Sequence, residues 1–132
     1  MTSSIMTDWG DWDVSNLMFW RIFDLATAVG EQVADTDEKR HWVKALQELL
    51  QNEEKGSPLE SYSPDVDVYD ILHSQEEAGF WSDVLFDVAG RVFLGKFCAS
   101  SALQVKTETV WAAYDLAALL RKVANRPRQV EA

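Results

Sequence analysis

The sequence predicts an all-α fold, an antiparallel bundle of four main helices plus one short helix, in a single domain of residues 1–132. Three observations support this prediction. Apolar residues recur in four long segments at the i, i+3, i+4 spacing of a buried helix face. Residues suited to be N-caps precede most of these segments. Glycine and proline separate several of them, and 132 residues is a usual length for one domain.

Residues 1–14 are interpreted as an N-terminal arm that contains Trp9 and Trp12. These indoles either pack on the domain or bind a partner. The first helix is predicted to begin near Ser15, a good N-cap, and to end at about Ala34. Its apolar residues cover more than one side, which is typical of a central helix.

A second helix is predicted to follow Asp35 and Thr36 and to end before Gly56 and Pro58. Gly30, near the end of the first helix, either weakens that helix or admits a close neighbour.

Residues 65–73 fit two structures. The β-branched residues Val66, Val68 and Ile71 favour a strand. The preceding Ser63-Pro64 resembles an N-cap followed by a first helical position, which favours a short helix. We predict the helix.

Two long helices complete the predicted bundle. Ser74, followed three residues later by Glu77, forms a capping-box pattern, and the helix it opens is expected to reach about Cys98. The last helix is predicted from about Thr107 to Asn125, and a loose tail of residues 126–132 follows it.

The charge distribution is strongly uneven. The net charge of the chain is −10, and a forty-residue stretch ending at Asp87 alone has eleven acids and one base. The acids of this stretch are Glu48, Glu53, Glu54, Glu60, Asp65, Asp67, Asp70, Glu76, Glu77, Asp83 and Asp87. A surface with charge of one sign speeds the approach of an oppositely charged partner. We therefore expect a basic protein partner.

The segment from Glu60 to Glu77 combines aromatic and acidic residues. The tyrosines would anchor a partner, and the surrounding acids would match a surface built to hold phosphate. The predicted partner-binding residues are Glu60, Tyr62, Asp65, Asp67, Tyr69, Asp70, Glu76 and Glu77. Such a partner is a nuclease, a toxin or another nucleic-acid enzyme, and this chain would be its immunity protein or an inhibitor that imitates DNA.

Two other functions fit parts of the sequence. A structural or assembly subunit would bury Trp9, Trp12 and the apolar first helix, against a partner or in a homodimer. A metal-dependent nucleotide hydrolase would use Glu76, Glu77 and the two aspartates Asp83 and Asp87, but a second acidic motif in the right order is missing.

No sequence motif indicates catalysis, so no enzymatic activity, cofactor or metal site is expected. Neither histidine lies in a metal-binding or triad motif. The acidic balance argues against direct contact with nucleic acid or with anionic membranes. With no signal-like start and no long apolar run, a cytoplasmic protein is expected.

Overall fold

The computed structural model describes residues 2–51, 65–96 and 103–125, with side chains from residue 105 in the last range. The elements in chain order are β1 (Thr2–Thr7), β2 (Gly10–Ser15), α1 (Asn16–Val33), α2 (Asp37–Gln51), β3 (Asp65–Asp67), α3 (Val68–Ile71), α4 (Gln75–Phe93) and α5 (Leu103–Asn125). The all-α prediction is wrong, because a three-stranded sheet accompanies the helices. The fold is mixed α+β with a helical bundle.

The sheet has the strand order β2-β1-β3, with β1 antiparallel to β2 and parallel to β3. Residues interpreted as an arm therefore form a β-hairpin. Its tight turn includes Gly10 at φ 133°, a conformation that side-chain-bearing residues rarely adopt. Inward and outward residues alternate along both strands, and this period of two is the strand signal that the arm interpretation overlooked.

Residues 65–73 contain both of the structures that the sequence left open. The first three residues form β3, and a single helical turn, α3, follows at once. The predicted short helix is therefore wrong for Asp65–Asp67, because pairing with β1 holds these residues extended.

The main helices follow the predicted caps. The Oγ atom of Ser15 accepts a hydrogen bond from the Met18 amide at 3.2 Å, and that of Ser74 accepts one from the Glu77 amide at 3.1 Å. Both N-terminal predictions are confirmed. At the other end α4 stops at Phe93, before the predicted Cys98, and Gly95 turns the chain at φ 78°.

The helices α4 and α5 pack antiparallel over most of their lengths. Deep in this contact the Ser82 hydroxyl donates to the Ala117 carbonyl at 2.7 Å. On the other side of α4, a Cβ atom at Gly30 would lie 3.1 Å from the Val43 side chain and 3.2 Å from the Trp81 ring. Gly30 thus lets neighbouring helices approach closely, which was one of its two predicted roles. Among the described residues, no helix is both long and apolar enough to cross a membrane.

Candidate partner-binding surface

The outer face of the sheet presents four aspartates. In the register of the strands, Asp13, Ser4 and Asp65 lie side by side, and so do Asp11, Met6 and Asp67. Directly paired residues share a face of a sheet. All four aspartates are exposed. We call Asp11, Asp13, Asp65 and Asp67, with their central neighbours Ser4 and Met6, the acidic sheet face.

Sheet geometry fixes the spacing of these carboxylates. Neighbouring strands lie about 4.8 Å apart, so the aspartates on β2 and β3 are roughly 10 Å apart across β1. Along a strand, alternate residues are about 7 Å apart. The Ser4 hydroxyl donates to the Asp13 carboxylate and restrains it further. Four negative charges are therefore held in two short rows on a rigid support.

The inner face of the sheet is apolar and ties it to the helices. Ile5, Trp12 and Val66 are each 4% exposed or less. The Trp12 indole N–H donates to the Ala112 carbonyl of α5 at 2.9 Å, and its ring lies 6.0 Å from that of Phe19 in α1. Because Trp12 is buried in the core, it is no longer available as an exposed docking residue; Trp9, in the hairpin turn, is 39% exposed.

Charge continues from the sheet onto α3. Asp67 caps this short helix by accepting from the Tyr69 amide at 2.9 Å. The Tyr69 hydroxyl lies 3.2 Å from a carboxylate oxygen of Asp8 in the hairpin turn, to which it donates. Tyr69 remains 48% exposed, and Asp70 beside it is exposed as well. The structure thus brings three predicted acids and one predicted tyrosine next to the hairpin.

The last two predicted acids differ from each other. Glu76 is exposed, whereas Glu77 is buried at 6% exposure. The Glu77 carboxylate accepts from the His73 amide at 3.0 Å, while its own amide donates to Ser74. Glu77 therefore completes a cap of α4, and this contact, not a partner, engages its carboxylate. The remaining two predicted residues, Glu60 and Tyr62, lie outside the described residues.

The hairpin aspartates Asp8, Asp11 and Asp13 were missed as site residues. Their signal was the alternation of Asp11, Trp12 and Asp13, which places both acids on the face opposite the indole once the segment is read as a strand. Strands β1 to β3, the hairpin turn and α3 together contain six aspartates and no lysine or arginine.

The acids of α4 further along its length pair with arginines. Asp83 accepts from Arg121 of α5, and Asp87 accepts from Arg91 at 3.1 Å. Within the described ranges, no group of three or more His, Cys, Asp or Glu side chains is placed to hold a metal ion.

Both histidines line an open groove between α2 and the start of α4. Its volume is about 790 Å³, and its walls include His41, His73, Glu76 and Glu77. His73 is exposed, with its Nδ1 atom 3.8 Å from the Glu77 carboxylate. A carboxylate next to an imidazole can orient it. The one hydroxyl among the groove's lining residues, that of Ser74, caps α4 by accepting from the Glu77 amide at 3.1 Å.

Comparison with protein-family models, with curated proteins and with solved structures gave no significant match for this chain.

Proposed function

We propose that this protein binds a basic protein partner through the acidic sheet face and inhibits it, as an immunity protein or a DNA-mimicking inhibitor of a nuclease or toxin would. The observation that carries this proposal is the array of four exposed aspartates in two strand-paired rows. Asp8 and Asp70 extend the array at its edge, and no base interrupts it along the strands or α3.

Electrostatics supports a partner whose own surface is built to bind phosphate. A nucleic-acid enzyme presents clustered lysine and arginine along its substrate groove. Carboxylates held on neighbouring strands offer a clustered set of negative charges that such a groove can bind. Because the strands are held by backbone hydrogen bonds and by Trp12, little order has to be gained on binding.

Apolar anchors lie within the same surface. Met6 is at the centre of the acidic sheet face and is 38% exposed, and Tyr69 at its edge is 48% exposed. Tyrosine is enriched among the residues that contribute most to binding energy at interfaces, while surrounding charges set specificity and association rate. The surface therefore has the composition of a docking site in which charge guides the encounter and a few side chains hold the complex.

The test begins with capture of partners from the source cell's lysate on the immobilised protein at low salt, followed by elution with a salt gradient. The captured protein is then purified, and its association rate is measured with wild type and with the double variant Asp11→Lys, Asp65→Lys. Both side chains are exposed, so the fold should tolerate the change. We expect association to slow by about tenfold or more at low salt, with a weaker dependence on salt.

A matched control distinguishes an effect of the acidic sheet face from an effect of net charge alone. The pair Asp24→Lys, Glu48→Lys changes the net charge equally, but on exposed positions of α1 and α2. It should slow association much less. Equal slowing by both pairs, or a captured partner that salt does not release, contradicts the proposal. Loss of the partner's enzymatic activity on complex formation would establish inhibition.

A further inference from the structure

The outer side of the α4–α5 pair carries a set of exposed large apolar side chains. Those that we call the aromatic patch are Phe86, Phe93, Leu94, Trp111 and Tyr114, which are 36%, 67%, 68%, 60% and 48% exposed. The patch has about 500 Å² of apolar area open to solvent, which is at the large end for one patch on a monomeric protein. Patches in this size range are often functional surfaces.

Ring contacts join the members of the patch across the two helices. The ring of Phe86 lies 5.4 Å from that of Tyr114, which in turn lies 6.1 Å from that of Trp111, both in edge-on contacts. Phe93 follows Phe86 by seven residues, so both lie on one face of α4. Phe86, Tyr114 and Trp111 therefore form one connected group, and Phe93 extends it along the same exposed face of α4.

Gly90 leaves a hollow in this patch. It lies between Phe86 and Phe93 in the last turn of α4, and a Cβ atom placed on it would meet no side chain and no backbone of another element within 4 Å. An exposed glycine inside a helix is unfavourable compared with alanine, and no contact among the described residues requires its small size. The close approach of a second molecule would require a residue without a side chain at this position.

Two of the acids beside the patch are paired with arginines within the protomer. Asp83 and Asp87, on either side of Phe86 in the sequence, pair with Arg121 and Arg91. On a chain whose net charge is −10, this pairing lowers the repulsion that two identical molecules would meet on the α4 side of the patch.

We infer that the aromatic patch is the interface of a homodimer, in which a second copy of this chain packs its own α4–α5 pair against the first. In a two-fold arrangement the same patch serves both molecules, and an aromatic side chain of one copy fills the hollow at Gly90 of the other. A standard interface buries roughly 800 Å² per partner. The patch supplies its apolar centre, and the paired charges supply its polar rim.

The oligomeric state tests this inference. Sedimentation equilibrium should show the mass rising with concentration from 15.0 kDa to twice that value, with little change between low and high salt, because the contact is apolar. A wild-type protein that keeps the monomer mass at millimolar concentration overturns the inference. So does a dimer that dissociates as salt is raised.

Two substitutions locate the interface. Gly90→Gln fills the hollow and should weaken dimerisation at least about tenfold, while the melting temperature of the monomer stays equal or rises because glycine is removed from a helix. Trp111→Gln should weaken dimerisation similarly by removing an anchor.

The matched control is Leu17→Gln. Leu17 is 78% exposed on α1, outside the patch, and its substitution should leave the dimer unchanged. Equal weakening by this control, or normal dimerisation of both patch variants, contradicts the assigned interface. Circular dichroism of each variant confirms that it is folded before its mass is compared.

Discussion

The acidic sheet face and the aromatic patch differ in how their charged and apolar side chains are arranged. The acidic sheet face holds like charges apart on neighbouring strands, around a single exposed methionine, Met6. The aromatic patch gathers rings across two helices, and two of the acids beside it are paired with arginines of the same molecule. Coulomb attraction acts over about 10 Å at ordinary salt, whereas apolar contact acts only when water is excluded. The acidic sheet face is therefore suited to attract an oppositely charged partner from a distance. The aromatic patch is suited to hold an identical molecule in close contact.

Trp12 joins the sheet, which carries the acidic face, to α5, which carries part of the aromatic patch. Its removal should therefore have the largest effect on the molecule. Trp12→Ala deletes a 4% exposed ring and its hydrogen bond to α5, and should cost about 3–5 kcal/mol of unfolding free energy. Chemical denaturation measures this loss. Trp9→Ala, in the same hairpin but 39% exposed, should cost less than about 1 kcal/mol. Similar costs for both would mean that the sheet is not anchored through Trp12.

A second pair of variants distinguishes an acid that supports the fold from one that is presented to solvent. Glu77→Ala removes the carboxylate that accepts from the His73 amide. It should lower the free energy of unfolding by about 1–3 kcal/mol. Glu76→Ala changes an exposed carboxylate and should alter stability by less than about 0.5 kcal/mol. Thermal melts of the two variants give the comparison, and equal melting temperatures would contradict the capping role of Glu77.

The smallest effect concerns an ion pair that belongs to neither surface. A hydrogen bond from Lys39, together with its positive charge, lowers the pKa of Asp35 below its usual value. Because this pKa is lowered in the folded state, the pair stabilises the fold at pH values above 3.8, the pKa of Asp35 in the unfolded chain. The stabilisation is lost as the pH falls through the lower pKa of the folded state. Asp35→Asn should therefore melt slightly below wild type at neutral pH and equal to it in strong acid. A difference that persists in strong acid would contradict this assignment.

Local signals predicted the helices well. Ser15 and Ser74 each precede an apolar, helix-periodic run, and each caps the helix that follows. These features depend on residues a few positions apart, which is why the sequence alone reveals them. For Gly30 the sequence left two roles open, and the structure shows the close approach, to Val43 and Trp81, which the sequence did not identify.

The sheet was missed for the opposite reason. β3 is only three residues long and is extended because it pairs with β1, which no local propensity encodes. The hairpin was predictable in principle from the alternation around Trp12, but its two tryptophans and three aspartates suggested an arm whose indoles pack on the domain or bind a partner. Of the predicted site residues, four lie together, namely Asp65, Asp67, Tyr69 and Asp70. The capping-box pattern of Ser74 and Glu77 already assigned Glu77 to a helix cap, so Glu77 could have been left out of the predicted site.

The parallel pairing of β3 with β1 also imposes an order on folding. The contact between Tyr69 and Asp8 closes a loop of 61 positions, whereas the hairpin and the helices form from near neighbours in sequence. Contacts across long loops form late and limit the rate of folding. During synthesis, the first two strands leave the ribosome well before the third. The complete acidic sheet face therefore forms only after Asp67 has been synthesised.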